Sequence, residues 1–384
     1  QGATQTGTPT FAGTTVQVNG EDKAITIKDN SYTLLDNDGN EVTSTPAYAA
    51  DGTTEIGTYS IDSATGQVTF TPTDKSYTGV VTPAKVQAES SNGIKVDTTY
   101  TPEIVPVTPT ATPAETEDIQ GATQTGKPEF KVGTVTVDGV EKTVAINEAV
   151  PATFDDGSTT KTVDGVGTYT VASDGTVTFV PEKSFTGKAP AVTVVREDKN
   201  GTKASATYTP TVTPVTPTAT PAESTGPQGL VQTGTVTFTE GDEVAPIDKD
   251  TITLLDENGQ PATSVVAKSP EGKEIGTFTV DKDTGVVTFT PTDKSYSGDV
   301  VPVKVQAADT NGTTVETTYT PKITPVVPTS EDATSTDIQG QTQTGKPTFT
   351  EGNPNVPIDE DTPATFEDGS TTKTVDGEGT YTVS

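Results

Sequence analysis

This chain says the same things twice, and that constrains its folding more than any other feature. The ten residues VTFTPTDKSY stand at Val68–Tyr77 and again at Val287–Tyr296. Self-similarity is sought first, because it decides architecture before any residue-level reading. Gln-Gly, soon followed by Gln-Thr-Gly, recurs at Gln1, Gln120, Gln228 and Gln339. These intervals are the size of a domain and exceed a solenoid repeat of roughly 20–50 residues. The expected organisation is beads on a string, with units at 1–119, 120–227 and 228–338 and a truncated unit at 339–384. Gln1 falls inside the repeat pattern, so the chain reads as a piece of a longer one.

The beads alternate in type. Units one and three share SYTLLDNDGN and TITLLDENGQ, then EIGTYSIDSATGQVTFTP and EIGTFTVDKDTGVVTFTP. Units two and four share another text: Ala152–Ala172 and Ala364–Ser384 differ at three of 21 positions, Asp155/Glu367, Val166/Glu378 and Ala172/Ser384. The repeated decamer therefore marks one strand and turn in two copies of one domain. Keeping near-identical copies out of adjacent positions lowers the risk of strand exchange between neighbours.

Each unit reads as all-β. Val, Thr, Ile, Tyr and Phe alternate with polar residues over short runs bounded by Gly, Asp, Asn and Pro. The inward phase falls on Tyr59, Ile61, Val68 and Phe70, on Tyr169, Val171, Val177 and Phe179, and on Phe278, Val280, Val287 and Phe289. Pro72, Pro181 and Pro291 end these strands because proline donates no ladder hydrogen bond. Asn92-Gly93, Asn200-Gly201 and Asn311-Gly312 predict tight hairpins with positive φ at both central residues. Ala84, Val86 and Ala88 line one face before the first of these turns; Ile94, Val96, Thr98 and Tyr100 line one after it. TYTP closes each unit, at Thr99–Pro102, Thr207–Pro210 and Thr318–Pro321. Many short strands with regular turn signals indicate tandem Ig-like β-sandwiches with one wet face per sheet. With 11 Phe and 10 Tyr, each core is modest.

The joins VPVTPTATPAETED, VTPVTPTATPAEST and ITPVVPTSEDATSTD are rich in Pro and Thr. Their composition predicts extended spacers of about 3.1 Å per residue, and their Thr content suits a glycosylated stalk.

Composition then removes function classes. The chain holds 54 acidic and 23 basic residues, a formal charge of −31. That opposes nucleic acid, whose phosphates require clustered Lys and Arg, and anionic membrane surfaces. There is no Cys, Met, Trp or His, so zinc-type ligands, imidazole bases and thiolate nucleophiles are missing. No apolar run reaches the length of a membrane span.

Several motifs together resemble a known family. Gly-Thr-Tyr-Thr-Val, an acidic Gly turn, Val-Thr-Phe-x-Pro, Ser-Phe/Tyr-Thr/Ser-Gly and Thr-Tyr-Thr-Pro are similar to the CshA-type fibril repeat. Gln-Thr-Gly-x-Pro-x-Phe at Gln5–Phe11, Gln124–Phe130 and Gln343–Phe349 fits as well; at Gln232–Phe238, Val236 replaces the proline. The resemblance covers essentially the whole chain. It implies the stalk of a very long fibrillar adhesin, extracellular and anchored to the cell wall of a Gram-positive bacterium. It further implies that a host matrix protein such as fibronectin is bound by regions outside this chain. Neighbouring repeats would be the partners, in a monomeric chain. The alternative is that the repeats themselves hold a host protein or a partner cell.

Asp36-Asn37-Asp38-Gly39-Asn40 resembles the start of a calcium loop, but position twelve is Ala47 where a bidentate Glu is required; Asp256-Glu257-Asn258-Gly259 departs further. An internal Lys–Asn crosslink would need an inward Lys. Lys85 and Lys304 take the outward phase beside Val86 and Val305, and Thr193 holds the matching place in unit two. No serine has a base to activate it. The sequence therefore predicts a non-enzyme with no catalytic, cofactor-binding or metal residues and no cofactor.

Overall fold

The computed structural model describes residues 1–384, which are strands and turns without a helix. Contacts divide the chain into two compact units, Gln1–Thr213 and Pro214–Ser384.

In the first unit, the residues around Tyr59 form a four-stranded sheet. Gln5–Gly7 pairs with Val68–Pro72, which pairs with Glu55–Ile61, which pairs with Ser44–Tyr48. A second sheet orders Lys95–Tyr100, Ala84–Glu89, Thr33–Leu35 and Glu41–Val42. Their inner faces meet in one core holding Leu34, Tyr59, Val68, Phe70 and Val86. That is the sandwich the alternation predicted, because period-two side chains put every second residue on the shared inner face.

Residues from Thr110 onward build the second sandwich. Gln124–Gly126, Val177–Pro181, Gly167–Val171 and Thr160–Val163 make one sheet. Ala114–Ile119, Lys203–Thr213, Val192–Glu197 and Thr153–Phe154 make the other. Phe154, Tyr169, Phe179, Val194 and Tyr208 fill the space between them. Burial pushes the Tyr169 hydroxyl up to about 12, and that hydroxyl donates to Pro190 O at 2.8 Å.

The second unit contains a sandwich built the same way, with Leu254, Phe278, Phe289, Val305 and Tyr319 in its core. Val280, expected inward, is only partly buried against that core. From Glu331 to Ser384 no residue is buried, although Thr348–Thr350 and the hairpin Thr372–Val375/Gly379–Thr382 are formed.

Three expectations are corrected. The Pro/Thr joins are not free spacers. Ala114–Ile119 lies parallel to Lys203–Thr213, with Ala114 opposite Tyr208. Ala222–Pro227 lies parallel to Thr314–Thr324, with Ala222 opposite Tyr319. The first two joins therefore each supply a leading strand to the repeat that follows, and the third contributes only Thr329–Glu331, paired with Thr348–Thr350. Nor does TYTP close the repeat: Thr207–Pro210 sits inside a strand that runs on to Thr213.

The third correction concerns turns. Gly93, Gly201 and Gly312 have positive φ, but their Asn neighbours do not. Gly93 N donates to Ser90 O, and Ser90 N donates to Ile94 O; this is a three-residue loop whose glycine takes the left-handed place. Both-positive turns occur instead at Asn19-Gly20 and Asp138-Gly139. They cap the two-stranded ribbons Thr14–Val18/Glu21–Ile25 and Gly133–Val137/Val140–Val144. The Asn-Gly and Asp-Gly pairs between alternating residues were legible signals for these ribbons.

Candidate functional site

The chemically active possibilities resolve into turn geometry. Asp36 Oδ1 accepts from Asp38 N at 2.9 Å and Asn40 N at 2.8 Å. Asp256 Oδ1 accepts from Asn258 N and Gln260 N, both at 2.8 Å. These carboxylates serve their own loops, as acidic turn residues do. The same hydrogen bonding holds several acids low: Asp51 through Thr54, Asp156 through Ser158, and Asp293 through Lys273 and Ser295 lie at about 2. Lys85 and Lys304 are exposed on their strands, and Lys304 Nζ pairs with Glu316 at 3.0 Å. Two loop serines are spent locally as well; Ser76 Oγ donates to Asp74 at 2.7 Å and Ser295 Oγ to Asp293 at 2.6 Å.

Two polar devices do recur, and both use the glutamines that mark the repeat. The first fixes the leading strand. Thr116 Oγ1 donates to Gln124 Oε1 at 2.6 Å and lies 2.7 Å from the Tyr208 hydroxyl. Gln124 Nε2 donates to Thr211 O at 2.9 Å. In the third repeat, Ser224 Oγ donates to Gln232 Oε1 at 2.7 Å and lies 2.7 Å from the Tyr319 hydroxyl. Gln232 Nε2 reaches Lys322 O at 3.2 Å. One buried glutamine thus joins leading strand, second strand and closing strand, its amide oxygen accepting from the first and its nitrogen donating to the last.

The glycine of Gln-Thr-Gly has a separate reason. A Cβ on Gly126 would stand 2.2 Å from the Tyr208 ring, and one on Gly234 would stand 2.4 Å from Tyr319. The bare backbone is what lets the tyrosine lie flat beneath it.

The second device sits where one repeat gives way to the next, and it uses the glutamine of Gln-Gly. Gln1 Nε2 donates to Ser76 O at 2.8 Å, while Gln1 Oε1 accepts from Val107 N at 2.9 Å. In the second unit, Gln228 Nε2 donates to Ser295 O at 2.6 Å, and its Oε1 accepts from Val326 N at 3.1 Å. One side chain ties the Asp-Lys-Ser-Tyr loop of its own repeat to the first residues of the following one. The last four residues of the repeated decamer form the loop half of this joint. In the loop, Tyr77 Oη donates to Val80 O at 2.8 Å and Tyr296 Oη to Asp299 O at 2.6 Å. Gly79 and Gly298 turn beneath those rings at φ 156° and 135°. At the first joint, Asn200 Nδ2 of repeat two also donates to Gln1 O at 3.2 Å.

In the sequence these glutamines stand out only as repeat markers, with no visible physical task. Their partners lie in the Pro/Thr joins and in main-chain carbonyls, which carry no pattern of their own.

The sequence pattern described as "Surface adhesin CshA repetitive domain" matches residues 1–104, 106–212, 214–323 and 325–384. The second, third and fourth matches begin with the Pro/Thr segment. No curated protein matches the chain. Among solved structures, mouse cadherin-23 EC22-24 is similar at 16% identity and TM-score 0.29, covering 79% of this chain and 90% of that one. The protocadherin gamma B4 extracellular domain gives 13% identity and TM-score 0.32, covering 81% of this chain and 49% of that one. Drosophila N-cadherin EC1-3 gives 12% identity and TM-score 0.22, covering 74% and 90%.

Proposed function

Since the chain belongs to the surface adhesin CshA repetitive domain family, we propose that it is a non-catalytic stalk holding a distal ligand-binding region away from a bacterial cell wall. The carrying observation is the repeat joint. The segment between repeats is held from its first residues, by Gln1 at Val107 and by Gln228 at Val326. It then enters the ladder of the following repeat within a few residues, at Thr110–Thr112 and Ala114–Ile119. Little chain is left free to bend. A connector with both ends hydrogen-bonded transmits reach, where a flexible one would coil. In this reading the folding unit starts at the Pro/Thr segment and not at Gln-Gly.

Charge supports the same role. A formal charge of −31 makes parallel stalks repel one another within a Debye length of about 8 Å at physiological salt. The reactive side chains are spent inside turns, which leaves the stalk chemically inert.

Small-angle scattering tests the reading. Gln228→Ala, with both hydrogen bonds lost, is expected to broaden the distance distribution of the chain, and so is a Gly-Ser insertion after Val105. An unchanged distribution in both would defeat the stalk. The competing reading, in which the repeats themselves grip a host protein, predicts saturable capture of a matrix protein by the immobilised chain.

A further inference from the structure

Repeats two and three are entered and left by neighbouring strands. In repeat two the six residues Ala114–Ile119 lie parallel to Tyr208–Thr213, the end of the closing strand. In repeat three Ala222–Pro227 lies in the same way along Tyr319–Thr324. The chain therefore enters each repeat at one end of this strand pair and leaves it at the other.

That placement decides how tension is carried. A pull on the chain draws Ala114 one way and Thr213 the other, along the strands and across the ladder between them. The bonds of a parallel ladder are evenly spaced, so a sliding load falls on all of them together. An antiparallel hairpin pulled at its open end gives way one bond at a time. Hairpins such as Gly167–Val171/Val177–Pro181 lie between the two outer strands in the chain and take up load only after that pair has slipped.

Side chains lock the register of the pair. Gln124 holds Thr116 of one strand and Thr211 O of the other; Gln232 holds Ser224 and Lys322 O. Further along, Thr213 Oγ1 donates to Asp118 O at 3.2 Å and Thr324 Oγ1 to Gly226 O at 3.1 Å. Gln120 N then donates to Thr213 O, and Gln228 N to Thr324 O, each at 2.8 Å. The main chain of a Gln-Gly pair thus closes both ladders, and sliding either pair by one residue breaks all of these contacts at once.

We propose that repeats two and three are tension-bearing units, each guarded by a shear clamp between its first and last strands whose register is held by the glutamine of Gln-Thr-Gly. Forced unfolding is set by the barrier to unfolding, and the clamp places that barrier where the load arrives first. Its use on a cell surface rests on the stalk reading. Its mechanics do not, so scattering and force measurements can fail independently.

The test is single-molecule pulling on the full chain. The chain has no cysteine, so two introduced ones set the direction of load. Thr112→Cys with Thr216→Cys loads the clamp of repeat two in shear. Asp118→Cys with Thr216→Cys applies the load at one end of the same strand pair and peels it. The shear geometry is expected to need about twofold or more force. Its slip should release roughly 30 nm, the extended length from Ala114 to Thr213 less the folded span. At constant shear force Gln124→Ala is expected to slip about tenfold faster, the scale of one buried hydrogen bond. Thr116→Val removes the bridging hydroxyl at nearly constant volume and should act in the same direction. Equal forces in the two geometries would overturn the proposal, and that comparison needs no core variant to fold. So would slip rates unchanged in both Gln124→Ala and Thr116→Val, since the register would then not depend on the glutamine.

Discussion

Ala152–Ala172 and Ala364–Ser384 are nearly the same text in different surroundings. Both form the same hairpin in the same register: Thr160 pairs with Thr170, and Thr372 with Thr382. Both make the same turn, with Phe154 N donating to Ser158 O and Phe366 N to Ser370 O, each at 2.8 Å. Even the cross-strand hydroxyl pairs agree, Thr162 with Thr168 at 3.2 Å and Thr374 with Thr380 at 3.3 Å. Yet Tyr169 is 0% exposed and Tyr381 is 53% exposed. Local conformation follows the local text. Burial depends on partner strands: Val177–Pro181, Val192–Glu197 and Lys203–Thr213 stand against Tyr169, and within residues 1–384 no such strands stand against Tyr381. An isolated two-stranded ribbon has no hydrophobic face to hide and is marginal in water.

The largest expected difference between the two copies is in amide exchange. Gly167–Val171 should open only with the whole repeat, whereas Gly379–Thr382 should exchange near the rate of an unstructured peptide. For a domain stable by about 5 kcal/mol or more, that is a protection ratio of roughly 10³–10⁴. Equal protection would break the comparison.

Truncating the two tyrosines comes next. Tyr169→Ala empties a packed core position and is expected to cost about 3–5 kcal/mol in denaturant melts of repeat two. Tyr381→Ala should stay within about 0.5 kcal/mol. A smaller contrast belongs to the glycines of Gln-Thr-Gly. Gly126→Ala drives a methyl into the Tyr208 ring, at about 1–3 kcal/mol. The equivalent Gly345 meets only Ala333 Cβ, at 3.4 Å, and should tolerate alanine. If both alanines were neutral, the tyrosine would not be what demands the glycine.

The smallest effect is electrostatic. Hydrogen bonds from Ser158 hold Asp156 at about 2, below the ordinary 3.8. A depressed carboxylate stabilises its turn above the unfolded value and loses that contribution as pH falls through the folded one. The Ser158 amide shift should therefore move between about pH 4 and pH 2. Asp368 is lowered by Ser370 in the same way, so Ser370 should follow a parallel curve even though no residue around it is buried. A Ser370 amide titrating at the ordinary carboxylate value would show that the turn needs the sandwich.

The all-β class was legible because alternation and turn residues act at short range. Tyr59, Phe70, Tyr169, Val177, Phe179, Phe278, Val287 and Phe289 are buried as their phase required. The leading strands were not legible. Ala114–Ile119 is an edge strand with no buried residue, so AETEDI carries no apolar period, and its parallel partner lies about 90 residues away. The polar devices were hidden for a related reason. A glutamine that bonds main-chain carbonyls has partners without a residue identity, so no pairing appears in the text.

The sequence by itself determined the number of repeats, their core hairpins and most of the inward phase, because each is set by residues within a few positions of one another. Only the tertiary structure decided which strand completes each sandwich, why Gln, Gly and Tyr recur together, and how one repeat is pinned to the next. Those contacts join residues brought close by folding, and their energy exists only once both sides are in place.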